Sequence, residues 1–331
     1  MKLAAMIAAV GLLLLCAGYW HITKWAVQPI QNAPIFFDLM PGESLSDLIE
    51  KLDEAGFDNS NRLLLLARLT GLETSLQAGE YQMSVGMTPR QLLSMLRDGS
   101  VVTHRFRVRE GITVAVLLRQ LRDNDLLSQN LSAATALDLT SELALDAPFV
   151  EGMFFPDTYY FRRGDSTRDI LLRAYDAMRL RMLSAWQKKQ ENSALKSPFE
   201  MVILASIIEM ETGLESDRTL ISQVFHNRLG RQMRLQTDPT VIYLLGAEFD
   251  GNLTRAHLRI DSPFNTYQNR GLPPTPIALP SNASLEAAVQ PADGDYLYFV
   301  AQGDGKSKFS RTLSEHNSAV RTYQLNRQVK P

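Results

Sequence analysis

Two glutamates lie close together near the end of an apolar segment, which reads FEMVILASIIEMETG from Phe199 to Gly213. A Ser-Pro pair precedes the segment and a glycine ends it, so the pattern predicts an α-helix. At about 100° per residue, Glu209 and Glu211 point about 200° apart and cannot face the same groove. A carboxyl group among apolar side chains has its charged form disfavoured, which suits a general acid working near neutral pH.

Glu209 is the candidate for that acid, because its face of the helix carries small residues that leave room for a ligand: Val202, Ala205, Ser206, Thr212 and Gly213. Glu211 shares its face with bulkier side chains, namely Leu204, Ile207 and Ile208. The helix alone leaves a second interpretation open, in which Glu209 is a surface or ion-paired residue with a structural role.

Polar clusters downstream favour the catalytic interpretation. The segment from Met233 to Tyr243 concentrates Gln, Thr, Asp and Tyr side chains, and Asn265-Thr266-Tyr267 precedes a Pro-stiffened segment from Gly271 to Pro276. Amides and hydroxyls hydrogen-bond to sugar hydroxyl groups, and aromatic rings pack on the apolar face of a sugar ring. Turns use the same residue types, so each cluster alone is a weak signal. Together they predict a site for a sugar-like ligand.

Other chemistries lack their sequence patterns. The chain has no G-x-S-x-G, H-E-x-x-H or G-x-G-x-x-G motif, and Gly305-Lys306-Ser307 lacks the upstream glycine of a phosphate-binding loop because Val300 stands there. His226, His257 and His316 have no paired spacing, so neither a metal site nor a cofactor is predicted. A formal net charge of -2 provides no basic surplus for a phosphate backbone, which argues against nucleic acid as a partner.

The N-terminus carries an apolar segment without charged residues from Leu3 to Trp20. A helix of about 20 residues spans a membrane, so this segment is at the short end of transmembrane length. A cleaved signal peptide is the alternative, but no small-x-small cleavage site follows the segment. Lys2 and the terminal amine favour a cytoplasmic N-terminus, which places the rest of the chain outside the cytoplasm.

A unit of strand, glycine turn and capped helix is predicted three times. Each copy has a Gly followed at +2 by Ser or Thr, then by leucine-rich positions and an acid at +12, in residues 42–54, 86–98 and 111–123. Strand-like residues precede the copies at Ile35 to Leu39, Tyr81 to Val85, and Phe106 with Val108. A further helix is predicted from Arg62 to Leu72. Such small modules resemble the LysM type, which grips glycan chains, and a plain spacer is the alternative.

The remaining elements lie on either side of the glutamate helix. The segment from Asp169 to Lys189 predicts a long basic amphipathic helix with a solvated charged face. Two strand-like segments, Tyr296 to Ala301 and Lys308 to Thr312, predict a hairpin across the Gly-rich stretch between them.

The order of these motifs resembles one family. The segments ASIIEMET from Ala205, VFHNRL from Val224, MRLQTDPTVIY from Met233, NTY from Asn265 and GLPPTPIALP from Gly271 are similar to motifs of the endolytic murein transglycosylases of the YceG-like (MltG) family. The resemblance covers nearly the whole chain, including the short anchor and EGMFFPDTYY before the glutamate helix. Met210 departs from it, because the family usually has a lysine between the two acids.

The resemblance implies a single-pass inner-membrane enzyme with a periplasmic catalytic domain. It would cleave the MurNAc-β-1,4-GlcNAc bond within nascent peptidoglycan strands and leave 1,6-anhydro-MurNAc ends. The expected partners are peptidoglycan glycan strands, the inner membrane and peptidoglycan synthases. The implied fold is α+β, with a transmembrane helix in residues 1–24, a LysM-like α+β module in 25–105 and a mixed α+β catalytic domain in 106–331.

The resemblance places the catalytic role on Glu209, as general acid and then base. The residues expected to bind substrate are Gln236, Thr237, Asp238, Tyr243, Asn265, Thr266, Tyr267, Glu151, Ser206 and Asn227. In a lytic transglycosylase the C6 hydroxyl of the substrate attacks C1, so one carboxyl group can serve both steps. Glu151 or Asp238 is a candidate auxiliary acid.

Two other functions stay open from the sequence. A muramidase would use water and a second carboxylate, with Glu209 paired to Asp238 or Glu151. A non-catalytic, membrane-anchored scaffold would bind peptidoglycan through the LysM-like units alone.

Overall fold

The computed structural model describes residues 2–31, 35–40, 42–72, 76–132, 136–191 and 193–325. The protein is mixed α+β and begins with an apolar helix. It divides into two compact units: the first contains residues 1–105 and 160–165, and the second contains residues 106–159 and 166–331.

Helix α1 (Lys2–Trp25) has 24 residues. At about 1.5 Å per residue it is long enough to cross a hydrocarbon core of about 30 Å. Its leucines at positions 12 to 15 are exposed, whereas Ile22 near its end is buried with Ala26 in the core of the first unit. By length and composition α1 is consistent with a single-pass membrane anchor, although an N-terminal signal sequence would pass the same test.

In the first unit, two paired strands are separated in the chain by two helices. The elements are β1 (Ile35–Leu39), α2 (Leu45–Glu54), α3 (Ser60–Leu69), β2 (Gly79–Met83) and α4 (Pro89–Asp98). β1 and β2 are antiparallel, and the ring of Phe37 stacks on that of Tyr81, its partner in the register, at 5.6 Å. Leucines such as Leu48, Leu52 and Leu92 fill the core between the helices and the sheet.

The first two predicted copies of strand, glycine turn and capped helix are present. Ser44 and Thr88 cap α2 and α4, and each is part of a capping box with the residue three positions later. The third copy consists of β3 (His104–Arg107) and α5 (Val114–Arg122), which Thr113 caps. The helix predicted from Arg62 to Leu72 begins and ends earlier, as α3.

The second unit is mainly helical. After α5 the chain forms α6 (Ala136–Leu143), β4 (Thr158–Phe161), α7 (Thr167–Gln187), α8 (Pro198–Glu211), α9 (Glu215–Gly230), α10 (Asp238–Leu245), α11 (Asn282–Val289), β5 (Tyr298–Ala301), β6 (Ser307–Ser310) and α12 (Leu313–Val320). There are 3-10 turns at Gly246–Glu248 and His257–Arg259 and a π-helical turn at Arg321–Leu325. β3 pairs with β4, and β5 pairs with β6 as the predicted antiparallel hairpin.

Helix α8 is the centre of the second unit. It is buried from Met201 to Ile208 and packs against α7, α9, α10 and α11. A helix that is apolar on all sides belongs in a core, so its sequence explains its place. The predicted glutamate helix is confirmed as α8, and the predicted basic helix is confirmed as α7.

Candidate active site

Both glutamates lie in the last turn of α8, where the helix leaves the core. Ser197 caps the start of the helix, and Pro198 occupies its first position, where the missing N–H costs no hydrogen bond. The helix ends because Thr212 has extended backbone, with φ -149° and ψ 136°. As predicted, the carboxylates of Glu209 and Glu211 point in different directions, and they reach different neighbours.

The Glu209 carboxylate is bound to the start of α11. Its Oε2 atom accepts hydrogen bonds from the Ser281 amide at 2.9 Å, the Ser281 hydroxyl at 2.5 Å and the Ser284 hydroxyl at 2.7 Å. The Arg218 guanidinium lies 3.7 Å from Oε1. Ser281 is the N-cap of α11, so the carboxylate lies at the positive end of that helix dipole. The protein itself therefore occupies both oxygens of this group.

The space expected beside Glu209 is filled by protein. Ser206 is fully buried: its hydroxyl donates to the Ile203 carbonyl at 2.7 Å and accepts from the Ile277 amide at 3.0 Å. The small residues on this face allow α11 to pack closely against α8, because short side chains let two backbones approach. Ser206 and the small residues beside Glu209 are thus in contact with protein, and the substrate contact predicted for Ser206 stays a prediction.

The Glu211 carboxyl has a different environment. The Thr237 hydroxyl donates a short hydrogen bond to its Oε1 atom. Within the described part of the chain, its Oε2 atom has no hydrogen-bond donor from the protein. Burial raises the pKa of Glu211 to about 7, and the Asp238 charge raises it as well, while the Thr237 hydrogen bond and the Arg228 charge lower it. At neutral pH this carboxyl group is therefore populated in both its acid and its base form.

Glu211 lines a cavity of about 430 Å³ in the second unit. The other polar groups of its wall include Arg228, Gln236, Asp238, Tyr267 and His316, and its apolar groups include Leu235, Phe299, Val300, Leu313 and Val320. Small-molecule sites have this size and this mixture of apolar walls with a few polar groups. Three of the predicted substrate-binding residues, Gln236, Asp238 and Tyr267, are thus brought together with a carboxyl group. That group is Glu211 and not Glu209.

Asp238 and Tyr267 form a hydrogen-bonded pair in this wall. The Tyr267 hydroxyl donates to Asp238 Oδ1 at 2.5 Å. Burial and the neighbouring Asp238 raise the pKa of Tyr267, so its hydroxyl stays protonated and remains a donor. Asp238 is the first residue of α10, where a negative charge is favourable. Gln236, two residues before it, has a positive φ of 51°, and strained backbone of this kind occurs preferentially at functional sites.

Arg228 is a wall residue that the sequence analysis missed. Its side chain is buried; Nε donates to the Leu297 carbonyl at 2.7 Å and Nη1 to the Leu235 carbonyl at 2.6 Å. Its guanidinium lies 5.2 Å from the centre of the Tyr298 ring, and that ring stacks on His316 at 5.2 Å. The sequence contained a signal: Arg228 lies four residues after the buried Val224 on α9, and an arginine on a buried helix face needs a specific partner.

Three of the predicted substrate-binding residues do not line the cavity but form hydrogen bonds to residues that do or to their neighbours. Asn265 is fully buried and donates to the carbonyls of Leu258 and Ile260, while its Oδ1 accepts from the Tyr267 amide at 3.0 Å. The Thr266 hydroxyl accepts from the Thr237 amide at 3.1 Å. Thr237 in turn binds Glu211. These residues fix the direction of the Glu211 carboxyl and of the Tyr267 ring.

The other predicted contacts lie elsewhere in the second unit. Glu151 is buried, accepts from the Val114 amide at 3.0 Å and from the Tyr243 hydroxyl at 3.3 Å, and does not line the cavity. Burial raises the pKa of Glu151 to about 7. The Asn227 amide donates to the carbonyls of Gly294 and Tyr296. These polar groups are paired with protein atoms, and the substrate contacts predicted for them stay predictions.

Histidines do not form a metal centre in the described ranges, where no group of three His, Cys, Asp or Glu side chains could hold an ion. His226 contacts the Ala288 carbonyl at 2.8 Å through Nε2 and accepts from the Ala194 amide at 3.0 Å through Nδ1. Burial lowers the pKa of His226, which keeps the ring neutral.

The fold and this site agree with a family of proteins. Residues 37–322 match the YceG-like family. The chain therefore belongs to the YceG-like family.

Two relatives and one solved structure are similar to this chain over most of its length. The chain is 33% identical over 264 residues to an endolytic murein transglycosylase of Bacillus subtilis (strain 168), across 75% of this chain and 73% of that protein. It is 27% identical over 294 residues to an endolytic murein transglycosylase of Streptococcus pneumoniae serotype 2, across 86% of this chain and 49% of that protein, so it spans about half of the streptococcal chain. A 2.6 Å crystal structure of a YceG-like protein from Listeria monocytogenes has a TM-score of 0.54 and 30% identity, covering 86% of this chain and 99% of that one.

Proposed function

We propose that this chain is an endolytic lytic transglycosylase of peptidoglycan, and that Glu211 rather than Glu209 is its acid and base. Membership of the YceG-like family and the endolytic murein transglycosylases among its relatives support the activity. One observation carries the choice of residue. Glu211 lines the cavity with a pKa of about 7, while the Glu209 carboxylate is bound by Ser281 and Ser284.

The reaction needs one group that gives a proton and takes one back. Protonated Glu211 donates its proton to the oxygen of the MurNAc-β-1,4-GlcNAc bond, and the bond from C1 of MurNAc to that oxygen breaks. The C6 hydroxyl of the same MurNAc then forms a bond to C1, and its proton passes to the Glu211 carboxylate. The products are a GlcNAc hydroxyl end and a 1,6-anhydro-MurNAc end, and no water is consumed.

The other charged groups of the cavity wall suit these two reaction steps. Positive charge develops at C1 as the bond breaks, and the Asp238 carboxylate, fixed by Tyr267, is placed in the same cavity to stabilise it. The Arg228 charge favours the ionised form of Glu211 after proton donation, whereas burial favours the protonated form before it. These opposing effects keep the two forms close in free energy, as an acid that becomes a base requires.

The products of purified glycan strands test this proposal. Mass spectrometry is expected to find reducing ends that lack one water relative to hydrolysed ends, and to find them throughout the strand rather than only at its termini. The Glu211→Gln variant is expected to release these ends at least about 10²-fold more slowly. Lysis by Glu211→Gln at the wild-type rate would refute the assignment of Glu211. Absence of lysis by the wild-type chain would instead favour a non-catalytic scaffold role.

A muramidase is the second candidate, because Asp238 provides a second carboxylate in the cavity that Glu211 lines. Hydrolases of glycosides use two such groups. The same mass spectra separate the two reactions, since a muramidase adds one water at every new reducing end.

The anchor and the first unit complete the proposal. We infer that α1 crosses the inner membrane once, with Lys2 on the cytoplasmic side and the second unit in the periplasm. The β1-α2-α3-β2 order, with the amphipathic helix α2 capped by Ser44, supports a LysM-like module that binds glycan. Peptidoglycan synthases are the protein partners that fit an enzyme acting on nascent strands. Protease protection in spheroplasts and pull-down of the first unit on denuded glycan test orientation and glycan binding.

A further inference from the structure

A second cleft lies in the second unit, apart from the cavity that Glu211 lines. It has a volume of about 660 Å³, and its apolar wall contains Leu195, Leu229 and Leu272. Lys196 and Arg270 supply cations to its edge, and Glu200 supplies an acid. The cleft therefore combines an apolar floor with charged groups, and the mechanism above uses none of them.

The acid of this cleft has a hydrogen-bond partner, whereas its two cations have no ion-pair partner in the described residues. The Glu200 carboxylate accepts the Lys196 backbone amide at 2.6 Å, which fixes it at the start of α8. In contrast, the Lys196 ammonium and the Arg270 guanidinium are exposed and form no ion pair within the described ranges. Two cations without an ion pair in the described residues outnumber the single acid at this edge, which makes it attractive to carboxylates. Arginine binds a carboxylate through a two-pronged donor geometry.

The cleft and the catalytic cavity share two chain segments. Arg228 and Gln236 line the cavity, while Leu229 and Gln232 between them line the cleft. Tyr267 lines the cavity, and Arg270 lies three residues further along the same loop. Gln232, like Gln236, has a positive φ, of 53°. The stretch of chain that links the two depressions thus contains two residues with positive φ.

We propose that this cleft binds the stem peptide of the substrate, a short peptide with free carboxylates that is attached to muramic acid. The proposal rests on the proposed function, because it takes the ligand of the cavity to be a peptidoglycan strand. Each muramic acid bears its peptide on the lactyl group, so a sugar held next to Glu211 directs a peptide away from the cavity. Lys196 and Arg270 bind the peptide carboxylates, and the leucine floor accepts the methyl groups of its alanines.

The test compares two substrates with one double variant of the full chain in detergent. The substrates are purified glycan strands that retain their stem peptides and the same strands after an amidase has removed them. For Lys196→Gln/Arg270→Gln, the KM on peptide-bearing strands is expected to rise about five- to tenfold, which corresponds to exposed charge pairs of modest strength. The kcat is expected to stay within about twofold, and the KM on denuded strands is expected to stay unchanged.

Arg231→Gln is the matched control. Arg231 is an exposed cation next to Gln232 in the chain, but Arg231 itself lines neither depression. It is expected to leave both KM values unchanged. At about 0.5 M salt the wild type is expected to lose most of its preference for peptide-bearing strands, because screening weakens exposed charge pairs. A KM for the double variant that is unchanged, or that rises equally on both substrates, overturns the proposal.

A binding measurement separates this proposal from the proposed function. Saturation-transfer NMR of a free stem tetrapeptide with the wild-type chain is expected to give a signal that the double variant loses and Arg231→Gln keeps. If the wild type releases no anhydro ends, the transglycosylase function fails, yet this signal still supports a carboxylate-binding cleft. If anhydro ends form and no peptide signal is seen with the wild type, the cleft proposal alone fails.

Discussion

Glu209 and Glu211 leave α8 in opposite directions: Ser281 and Ser284 of α11 bind the first carboxylate, and Thr237 before α10 binds the second. The first carboxylate accepts three hydrogen bonds at Oε2 and has the Arg218 guanidinium 3.7 Å from Oε1. Within the described residues, the second accepts a protein hydrogen bond at Oε1 alone, and it lies on a cavity wall. Glu209→Gln and Glu211→Gln remove the same chemical group from one turn of α8. Comparing the two variants therefore distinguishes a catalytic role from a structural one.

Glu211→Gln is expected to lower kcat by about 10²- to 10⁴-fold, the usual contribution of a general acid and base, with little change in stability. Glu209→Gln is expected to retain most of the activity in its folded fraction. It should lower the free energy of unfolding by about 1–3 kcal/mol, because it weakens buried, charge-assisted hydrogen bonds at the start of α11. Release of anhydro ends and denaturant unfolding measure the two effects. The opposite pattern, with Glu209→Gln inactive but stable, would return the catalytic role to Glu209.

The activity should decline at alkaline pH. The pKa of Glu211 is raised to about 7, and the first step requires its protonated form. Therefore kcat/KM is expected to fall about tenfold per pH unit above this value. The measurement is the initial rate of anhydro-end formation between pH 5 and 9. A rate that keeps rising up to pH 9 would exclude Glu211 as the proton donor.

Arg228→Lys should weaken both the fold and the catalyst. Lysine lacks the planar donor geometry that holds the carbonyls of Leu297 and Leu235, so the free energy of unfolding is expected to fall by about 2–4 kcal/mol. Lysine places its charge differently, so the alkaline limb of the rate profile should move to higher pH if less positive charge reaches Glu211. Arg231→Lys, at an exposed neighbouring position, should change neither quantity.

Glu151 should make stability depend on pH. Burial raises its pKa from 4.5 to about 7, so the folded protein favours the protonated form. The contribution of this group to the free energy of unfolding is therefore complete below pH 4.5 and is lost as pH rises through 7. Between these values the free energy of unfolding is expected to fall by up to about 3 kcal/mol, and Glu151→Gln should remove this part of the slope. Glu286, whose pKa is lowered from 4.5 by its hydrogen bond to Lys188, is the control: its contribution to stability is lost only below pH 4.5, so Glu286→Gln should leave the slope between pH 5 and 7.5 unchanged. Denaturant unfolding at pH 5 and 7.5 measures the slope of the wild type and of both variants.

The sequence predicted the local elements around the site well. The periodicity of α8 separated Glu209 from Glu211, and the motifs around Asp238 and Tyr267 predicted two neighbours in the cavity wall. Local patterns suffice for these features because helix geometry and turn chemistry act over a few residues.

The choice between the two acids could not be made from α8 alone. Small residues such as Ala205 and Ser206 fit a ligand or a packed helix equally well, and the helix that packs there, α11, lies about 75 residues further along the chain. Likewise, Asn265 and Asn227 have the residue type of a sugar contact, but loop carbonyls use their donors. Packing between residues far apart in the chain decides such cases, and no local sequence pattern reveals that packing.

The bonds between Glu209 and the start of α11 also prevent α8 from turning about its own axis. A turn of one residue, about 100°, would carry Glu211 away from Thr237 and the cavity. In the function proposed above, the Glu209 carboxylate thus serves as a rotational lock, and Glu211 already lies on the cavity wall without rearrangement. Inserting a single alanine between Ser206 and Glu209 would break this lock and misdirect Glu211, even though every side chain of the site would still be present.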